Sequence, residues 1–359
     1  MKIGINARTF SIKEPGGAVQ VAIRHTKSLI NDPDIDVVLF GPDDLNKEFP
    51  NTNVVSSGYS GNSQFYGLFW ERVILPRIAS KQNVDLLYCP NGNAPLIPTS
   101  YSVVVCIHDV NSFEGWSSSI HQLYRRAMIP LGARLADSVI TVSEFSKQEI
   151  ATHLDISLES IHVVHNGIDE IFFSDSSGDQ FRLPSQYILF VGALNPRKNI
   201  KNIIRSFIIL KDKSDFDTDL VIIGPRNKKI FKNMSIEERN DIHTPGFVTK
   251  KQLKHAYINA DVFLYPSLYE GFGLPPLEAM ACGTPVIASN RTSMPEILND
   301  AALLIDPTNV DEIVNSVKKI LENGNKADEL RVAGKTRAKK FTWTKATKTL
   351  TQKLRDIHE

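Results

Sequence analysis

Two glutamates eight positions apart, Glu270 and Glu278, enclose the glycine- and proline-rich sequence GFGLPPL. The glycines let the backbone approach a ligand closely, and the proline pair can occupy the first turn of a helix, where missing N–H groups cost little. Free amides at such a helix start favour a negatively charged group. The spacing places Glu270 beside the reacting end of an extended ligand and Glu278 further along it. This pattern predicts a site for a sugar joined to a diphosphate.

Two apolar runs, Val262–Tyr265 and Val286–Ala288, flank this segment and are typical of parallel strands covered on both faces. Parallel neighbours need a crossover, so we expect a helix over Leu274–Cys282. Glycine-rich turns between a strand and a helix also occur in many α/β proteins without a site, and glutamate is common in helices for its propensity alone. The two glutamates by themselves therefore leave a purely structural role open.

The full string, residues 269–288, continues from the second glutamate as EAMACGTPV and resembles family 4 of the retaining glycosyltransferases. It is similar to bacterial mannosyl-, glucosyl- and rhamnosyltransferases of polysaccharide assembly. The resemblance implies the α/β fold called GT-B, with two Rossmann-like, doubly wound parallel-sheet domains facing a central cleft. It also implies that Glu270 lies beside the donor sugar and that Glu278 holds the ribose hydroxyls of the nucleotide. The next backbone amides would meet the sugar and phosphates: Gly271, Phe272, Gly273 and Leu274.

The composition agrees with a globular protein of two domains. The chain has 359 residues, 42% of them hydrophobic and 23% charged, and a net charge of +1, which argues against nucleic acid as a bulk electrostatic partner. Cys89, Cys106 and Cys282 show no metal-ligand spacing and fit a reducing compartment. No apolar run approaches the roughly 18 residues of a membrane span. We expect a cytoplasmic protein that could contact the inner face of a membrane peripherally.

Alternating strand and helix patterns predict two doubly wound halves. In the first half, strands are predicted at Lys2–Asn6, Asp36–Phe40, Val84–Cys89, Ser102–Ile107, Ser138–Val142 and Ile161–Val164, with helices at Gly17–Asn31, Gln64–Lys81, Ile120–Leu135 and Ser146–Leu154. In the second half, strands are predicted at Tyr187–Val191, Leu220–Ile223, Val262–Tyr265, Val286–Ala288 and Ala302–Ile305. Ser146 with Glu149 suggests a capping box at the start of the fourth helix.

The polar, irregular stretch after residue 166 predicts the domain boundary. We expect residues 1–166 to form an N-terminal, acceptor-binding domain and residues 167–340 to form the donor-binding domain. The resemblance implies that a C-terminal helix, residues 341–359, crosses back to the first domain.

Ligands of open α/β sheets bind beyond the carboxyl ends of the strands. We therefore keep as candidate sites only the motifs that follow a strand. Asp215 and Asp217 have the Asp-x-Asp form that binds a metal–diphosphate in another glycosyltransferase fold, yet they precede a strand. Asp32 and Asp34 also precede their strand, so we interpret both pairs as solvated loops. No metal site and no cofactor are expected, apart from the nucleoside diphosphate sugar as co-substrate.

In the first half, two loops pass this filter. Gly16 and Gly17 follow the first strand and could bring amides close to phosphates, or form a plain turn. His108 and Asp109 end the strand Ser102–Ile107, where the imidazole could hydrogen-bond a sugar hydroxyl and the carboxylate could orient it or contact the acceptor. A packed histidine satisfied by backbone is the alternative.

In the second half, Gly192 ends a strand and Arg197 and Lys198 start the next helix. Both cations could neutralise a departing diphosphate. The resembled family usually has an arginine close after the glycine, but Ala193 and Leu194 stand there, so either Arg197 takes that role or the role is absent.

Backbone contacts to the base are implied for the loop after the short run around His243, namely Gly246, Phe247 and Val248. Downstream, the segment Thr292–Glu296 could close the base pocket, or be a simple turn.

The aromatic and basic helix Phe65–Arg77 could meet a lipid-linked acceptor or the bilayer interface, although a core helix with an exposed basic side is the preferred interpretation.

The sequence thus predicts a retaining hexosyltransferase that uses a nucleoside diphosphate sugar and a hydroxyl of a saccharide or lipid-linked saccharide acceptor. His108, Asp109, Arg197, Lys198 and Glu270 are the candidate catalytic residues. Same-face transfer is preferred over double displacement with Glu270 as the nucleophile. A nucleotide-sugar epimerase of related fold and a non-catalytic nucleotide-sugar binder remain alternatives. A dehydrogenase is disfavoured because no Gly-x-Gly-x-x-Gly turn follows the first strand. The base, the sugar, the acceptor and the oligomeric state are left open.

Overall fold

The structure is a computed structural model that describes residues 1–10, 17–56, 64–113, 120–213, 216–225 and 239–359. Gly16 and Asp215 lie outside the described residues. The chain forms two compact units: the first comprises Met1–Asn166 and Trp343–Glu359, and the second comprises Gly167–Thr342.

The first unit is built on a parallel sheet. In its described part, seven strands pair in the order β3-β2-β1-β4-β5-β6-β7. Their bounds are β1 Lys2–Asn6, β2 Asp36–Gly41, β3 Asn53–Ser56, β4 Leu86–Cys89, β5 Ser102–Cys106, β6 Ser138–Thr141 and β7 Ile161–Val163. Successive residues of a strand point to opposite faces, so Val38 and Leu39 enter different cores, as do Leu87 and Leu86. Apolar residues on both faces explain why these strands are nearly continuous hydrophobic runs.

Helices flank this sheet: α1 Gly17–Ile30, α2 Leu45–Glu48, α3 Gln64–Phe69, α4 Leu75–Lys81, α5 Ile120–Leu135 and α6 Glu144–Leu154. The predicted capping box at Ser146 is wrong. Helix α6 begins two residues earlier, because the side chain of Ser143 accepts a hydrogen bond of 3.0 Å from the backbone N–H of Ser146.

The predicted helix Gln64–Lys81 is interrupted by a π-helical turn at Trp70–Ile74. Pro76 lacks the N–H that would bond the carbonyl of Arg72 in a regular helix, which disrupts the pattern of hydrogen bonds one turn earlier. The Arg72 carbonyl instead accepts from the N–H of Leu96 at 3.3 Å. This exchange ties the π turn to the loop after β4.

The second unit repeats the architecture with a parallel sheet whose six described strands pair in the order β10-β9-β8-β11-β12-β13. Their bounds are β8 Tyr187–Val191, β9 Asp219–Ile223, β10 Ile242–Gly246, β11 Val262–Tyr265, β12 Val286–Ser289 and β13 Leu303–Ile305. The flanking helices are α7 Ile200–Lys213, α8 Lys250–Asn259, α9 Leu274–Ala281, α10 Met294–Leu298, α11 Val310–Glu322 and α12 Gly324–Ala338.

The last helix, α13 Trp343–His358, belongs to the first unit. Thr347 donates a 2.9 Å hydrogen bond to Ser28 of α1, and Arg355 pairs with Asp32 at 3.2 Å. The preceding residues Phe341 and Thr342, expected with this helix, group with the second unit instead. The reason is local, because the Phe341 carbonyl accepts from Ile168 at 3.0 Å and its ring packs edge-on against Phe272.

In the parts of the chain that the structure describes, no helix is both long enough and apolar enough to cross a bilayer.

Close packing between two loops generates a first prediction. Gly224 has φ of +149°, and a Cβ there would lie 2.2 Å from the Gly192 carbonyl oxygen. We expect Gly224→Ala to lower the free energy of unfolding by about 1–3 kcal/mol, because backbone must move. Gly246→Ala is the matched control: Gly246 has φ of +83°, but its Cβ would meet no described atom within 4 Å. Urea unfolding would measure both variants, and equal destabilisation would contradict the steric explanation.

Candidate functional site

A buried carboxylate with two cations lies at the carboxyl edge of the second sheet. Glu270, in the loop after β11, accepts a 2.6 Å hydrogen bond from Lys198 Nζ at Oε1 and a 2.9 Å bond from Arg197 Nη1 at Oε2. Glu270 is 6% exposed and Lys198 7%. The three side chains form an ion triad with a net charge of one positive unit.

The loop after β8 presents these cations in a fixed geometry. Residues Pro196–Lys198 form a 3₁₀ turn, and Asn199 ends it in the left-handed conformation with φ of +59°. The Asn199 side-chain amide donates to the carbonyls of Pro266 at 3.0 Å and Pro307 at 2.6 Å. Asparagine suits this position because it tolerates the conformation and supplies the amide donor. The turn is thereby anchored to the loops that follow β11 and β13.

Charge and burial compete at Glu270. Burial alone would raise the pKa of the Glu270 carboxyl, but the charges of Lys198 and Arg197 outweigh it and hold that pKa below its usual value. Lys198 also donates to the Tyr265 hydroxyl, and its Nζ lies 4.6 Å from the centre of that ring. Glu270 is therefore an ionised hydrogen-bond acceptor whose two oxygens are both engaged.

The backbone of Glu270 is held by the loop after β12. Its N–H donates to Thr292 Oγ1 at 3.3 Å, and Ser293 Oγ donates to its carbonyl at 2.9 Å. Thr292 has φ of +59°, which strains a β-branched residue. The sequence predicts that Thr292–Glu296 either closes the base pocket or forms a simple turn, and the structure adds contacts from this segment that hold the Glu270 backbone.

The glycine-rich turn leads directly into α9. Gly273 adopts φ of +95°, a conformation that favours glycine, and a Cβ there would displace the flexible end of Met294, whose methyl carbon would lie 2.4 Å away. No described side chain caps the N-terminus of α9, which begins at Leu274. The positive end of the helix dipole therefore adjoins Glu270 and its cations.

Glu278 lies on α9 and has a separate partner. The Tyr257 hydroxyl donates to Glu278 Oε2 at 3.0 Å. Burial raises the pKa of Glu278 to about 7, and Asp169 adds to the rise. The residue as a whole is partly exposed. Tyr257 was not identified from the sequence, because nothing in the pattern of α8 relates it to a residue twenty-one positions later.

The remaining donor-side candidates occupy the same edge. A Cβ on Gly192 would lie 3.7 Å from Lys198 Cε, which places this glycine beside the triad. The Gly246 carbonyl accepts from Gly224 N–H at 3.1 Å, joining the loops after β9 and β10. Phe247 is 76% exposed and Val248 is half-buried, so their backbone is accessible.

His108 and Asp109 lie at the carboxyl edge of the first sheet. His108 Nε2 donates to the Pro90 carbonyl at 3.2 Å, which leaves Nδ1 as the acceptor of the neutral ring. Burial lowers the pKa of His108, but Cys106, Asp109 and the Pro90 carbonyl outweigh it and raise that pKa above its usual value. Asp109 Oδ1 accepts from the N–H of Asn111 at 3.2 Å.

Gly17, the first residue of α1, is exposed.

Within the described ranges, no group of three His, Cys, Asp or Glu side chains could hold a metal ion. Asp217 precedes β9 at the amino edge of the second sheet and is exposed. Asp32 and Asp34 pair with Arg355 at 3.2 and 3.4 Å. Asp217, Asp32 and Asp34, the described aspartates of the two Asp-x-Asp motifs, therefore lie away from the carboxyl edges of the sheets.

Two family models match the chain. The model described as Glycosyl transferases group 1 matches residues 175–337, and that described as Glycosyltransferase Family 4 matches residues 15–171. The O-antigen chain mannosyltransferase B of Escherichia coli is 32% identical over 223 residues, which cover 59% of this chain and 58% of that protein. The matched region thus spans little more than half the length of this relative.

Solved structures show the same fold. Sucrose-phosphate synthase from Thermosynechococcus elongatus aligns with a TM-score of 0.80 at 17% identity, over 99% of this chain and 98% of that chain. Anabaena HepE, in a complex with UDP-glucose, aligns with a TM-score of 0.75 at 19% identity, over 99% of this chain and 100% of that chain. The predicted fold of two Rossmann-like domains is confirmed.

The ion triad generates a second prediction. The pKa of Glu270 is lower in the folded protein than its usual value of 4.5, so its stabilisation is present above pH 4.5 and is lost as the pH falls through the folded-state pKa. We expect Glu270→Gln to lower the free energy of unfolding by about 3 kcal/mol at pH 7, because two cations lose their counter-charge. The difference from wild type should shrink below pH 4.5.

Chemical denaturation across the pH range would measure this difference. Asp328→Asn is the control, because Asp328 also pairs with an arginine, Arg331 at 2.7 Å, but at an exposed position where we expect little effect. A loss in Glu270→Gln no larger than in the control, or one independent of pH, would contradict the ionised triad.

Proposed function

The chain belongs to the group 1, family 4 glycosyltransferases, and on this basis we propose that it transfers a hexosyl group from a nucleoside diphosphate sugar to a hydroxyl of a saccharide acceptor, with retention of anomeric configuration. The observation that carries this proposal is the buried triad of Glu270, Arg197 and Lys198 at the carboxyl edge of the second sheet.

The triad suits a departing diphosphate. Breaking the bond between the anomeric carbon and the phosphate oxygen builds negative charge on that oxygen. The net positive charge of the triad and the N-terminus of α9 are both positioned before the reaction, so they need little reorganisation as charge develops. Arg197 offers planar, paired donors and Lys198 a point charge, which are complementary ways to bind phosphate oxygens.

The hydrogen bonds of Glu270 favour same-face transfer. Both of its oxygens accept bonds from cations, and its lowered pKa makes it a weak nucleophile. These facts weigh against double displacement. In same-face transfer the acceptor oxygen bonds the anomeric carbon, the bond to the phosphate oxygen breaks, and the acceptor proton passes to that phosphate oxygen. Glu270 would then act by holding the cations and the donor sugar in position.

A mannosyl donor and a role in polysaccharide assembly are the most specific form of this proposal. Their support is the similarity to a relative named as an O-antigen chain mannosyltransferase. A saccharide or lipid-linked saccharide is the corresponding acceptor class.

A panel of nucleotide sugars tests the proposal, with thermal unfolding to identify the donor and proton NMR to follow the product. We expect one donor to raise the unfolding temperature, and an α-linked donor to give an α-linked product in excess chelator, because the protein's own cations neutralise the diphosphate. A β-linked product, a changed sugar without acceptor as an epimerase would give, or binding without transfer would contradict the proposal.

The raised pKa of Glu278 generates a further prediction. A carboxylate accepts hydrogen bonds from the two ribose hydroxyls better than a protonated carboxyl does, so the donor should bind the ionised form. With a pKa of about 7, Glu278 becomes protonated as the pH falls below neutrality. We expect the Kd of the nucleotide sugar to rise between pH 8 and pH 6, by up to about tenfold for each pH unit below the pKa.

Titration calorimetry at several pH values measures this dependence. The intact nucleotide sugar is the ligand because its phosphates do not titrate in this range. Glu278→Gln is the matched variant, with weaker binding and no such pH dependence. The same slope in Glu278→Gln and wild type would remove Glu278 from the nucleotide site.

A further inference from the structure

A second buried ion pair lies at the carboxyl edge of the first sheet, and the donor chemistry does not use it. Glu71, on the π turn, is 0% exposed. Its Oε1 accepts from Asn6 Nδ2 and its Oε2 from Arg8 Nη2, each at 3.0 Å. Asn6 is the last residue of β1, and the Arg8 N–H bonds back to Asn6 Oδ1 at 3.3 Å.

Two asparagines from the loop after β4 complete a cluster. Asn93 Nδ2 lies 3.5 Å from Glu71 Oε1, and Asn91 Nδ2 donates to Thr9 Oγ1. The Oδ1 atom of Asn91 is buried and has no hydrogen-bond partner among the described residues. Leaving such an acceptor unsatisfied lowers the stability of the folded protein. A ligand hydroxyl that donates a hydrogen bond to Asn91 Oδ1 would satisfy this acceptor.

The local fold explains how Glu71 reaches this edge. The π turn inserts an extra residue per turn, and its freed Arg72 carbonyl binds Leu96 in the loop that carries both asparagines. π turns of this kind occur frequently at functional sites. On the other side, the Pro90 carbonyl accepts from His108, so the cluster adjoins the histidine already identified.

We propose that Arg8, Asn91 and Asn93, held in place by the buried Asn6 and Glu71, form the acceptor subsite and bind neighbouring hydroxyls of an uncharged sugar. This inference rests on the proposed function and specifies its acceptor. Amide oxygens accept hydrogen bonds from hydroxyls, and amide and guanidinium N–H groups donate to them. The charge of Arg8 is balanced by Glu71 within the cluster, so this cation attracts an anion weakly. The subsite selects the neutral saccharide end of an acceptor over a phosphate.

Ligand-observed saturation-transfer NMR tests this proposal without requiring turnover. The probes are methyl α-D-mannopyranoside, methyl α-D-glucopyranoside and mannose 6-phosphate. We expect at least one neutral glycoside to bind the wild-type protein more tightly than the phosphorylated sugar. Asn91→Ala should weaken that binding by about tenfold, the loss of one or two hydrogen bonds. Asn93→Ala should weaken it less, because its contact with Glu71 is longer.

Asn46→Ala is the matched control, since Asn46 is an exposed asparagine of the same unit and hydrogen-bonds only the Asp43 carbonyl in its own turn. Glu71→Gln adds a charge test: removing the anion should improve binding of mannose 6-phosphate relative to the neutral glycosides. Where this variant does not fold, Asn91→Ala decides the question.

Measuring the Kd of the nucleotide sugar distinguishes a failure of this inference from a failure of the proposed function. Asn91→Ala should raise the acceptor KM while leaving the Kd of the nucleotide sugar within twofold of wild type, which a general loss of folding would not do. Equal glycoside binding in wild type and Asn91→Ala, a preference of wild type for the phosphorylated sugar, or no glycoside binding would overturn the subsite. Failure of every nucleotide sugar to bind would overturn the proposed function, and the NMR comparison would still decide the subsite.

Discussion

The burial of the Glu270 carboxylate is the constraint on which the second unit depends. An ion buried at 6% exposure is tolerated only when opposite charges and hydrogen bonds replace water. Lys198 and Arg197 supply the charges, and the loops after β11, β12 and β13 must hold their positions for this geometry to persist. The strained Thr292 backbone and the left-handed Asn199 are consequences of that requirement. The same interactions that stabilise the unit therefore orient its cations.

The two units use one architectural rule with different charge. In each, the candidate side chains gather at the carboxyl edge of a parallel sheet. In the second unit, one carboxylate faces two cations, which leaves a positive centre suited to a diphosphate. In the first unit, Glu71 pairs with one cation among the described residues, Arg8, and this pair with its neighbouring amides forms a cluster suited to hydroxyls. The positive cluster suits the charged diphosphate that leaves the donor, and the cluster around Glu71 suits an uncharged acceptor.

Much of the fold could be predicted because buried parallel strands are continuous apolar runs; β8 and β11 have the predicted bounds. Strands β3 and β10 were not predicted, since β3 is a short edge strand and β10 contains Pro245. Within the site, Glu270, Arg197 and Lys198 could be predicted from the sequence, because their residue types suit the chemistry and each follows a predicted strand. Their pairing, and the contact of Lys198 with Tyr265, could not, because these partners are 67 to 73 positions apart. The cluster around Glu71 depends on a π turn for which Pro76 was the sequence signal.

The central claim is that Glu270 acts on the departing diphosphate through the cation it holds. A double-mutant cycle of transfer rates, with Lys198→Ala, Glu270→Gln and the double variant, tests it most directly. The account predicts that Lys198→Ala lowers transfer by about 100-fold or more, and that adding Glu270→Gln costs much less than it does alone, because residues that act as a unit are strongly non-additive. Losses that multiply, or near wild-type transfer in Lys198→Ala, would contradict the claim.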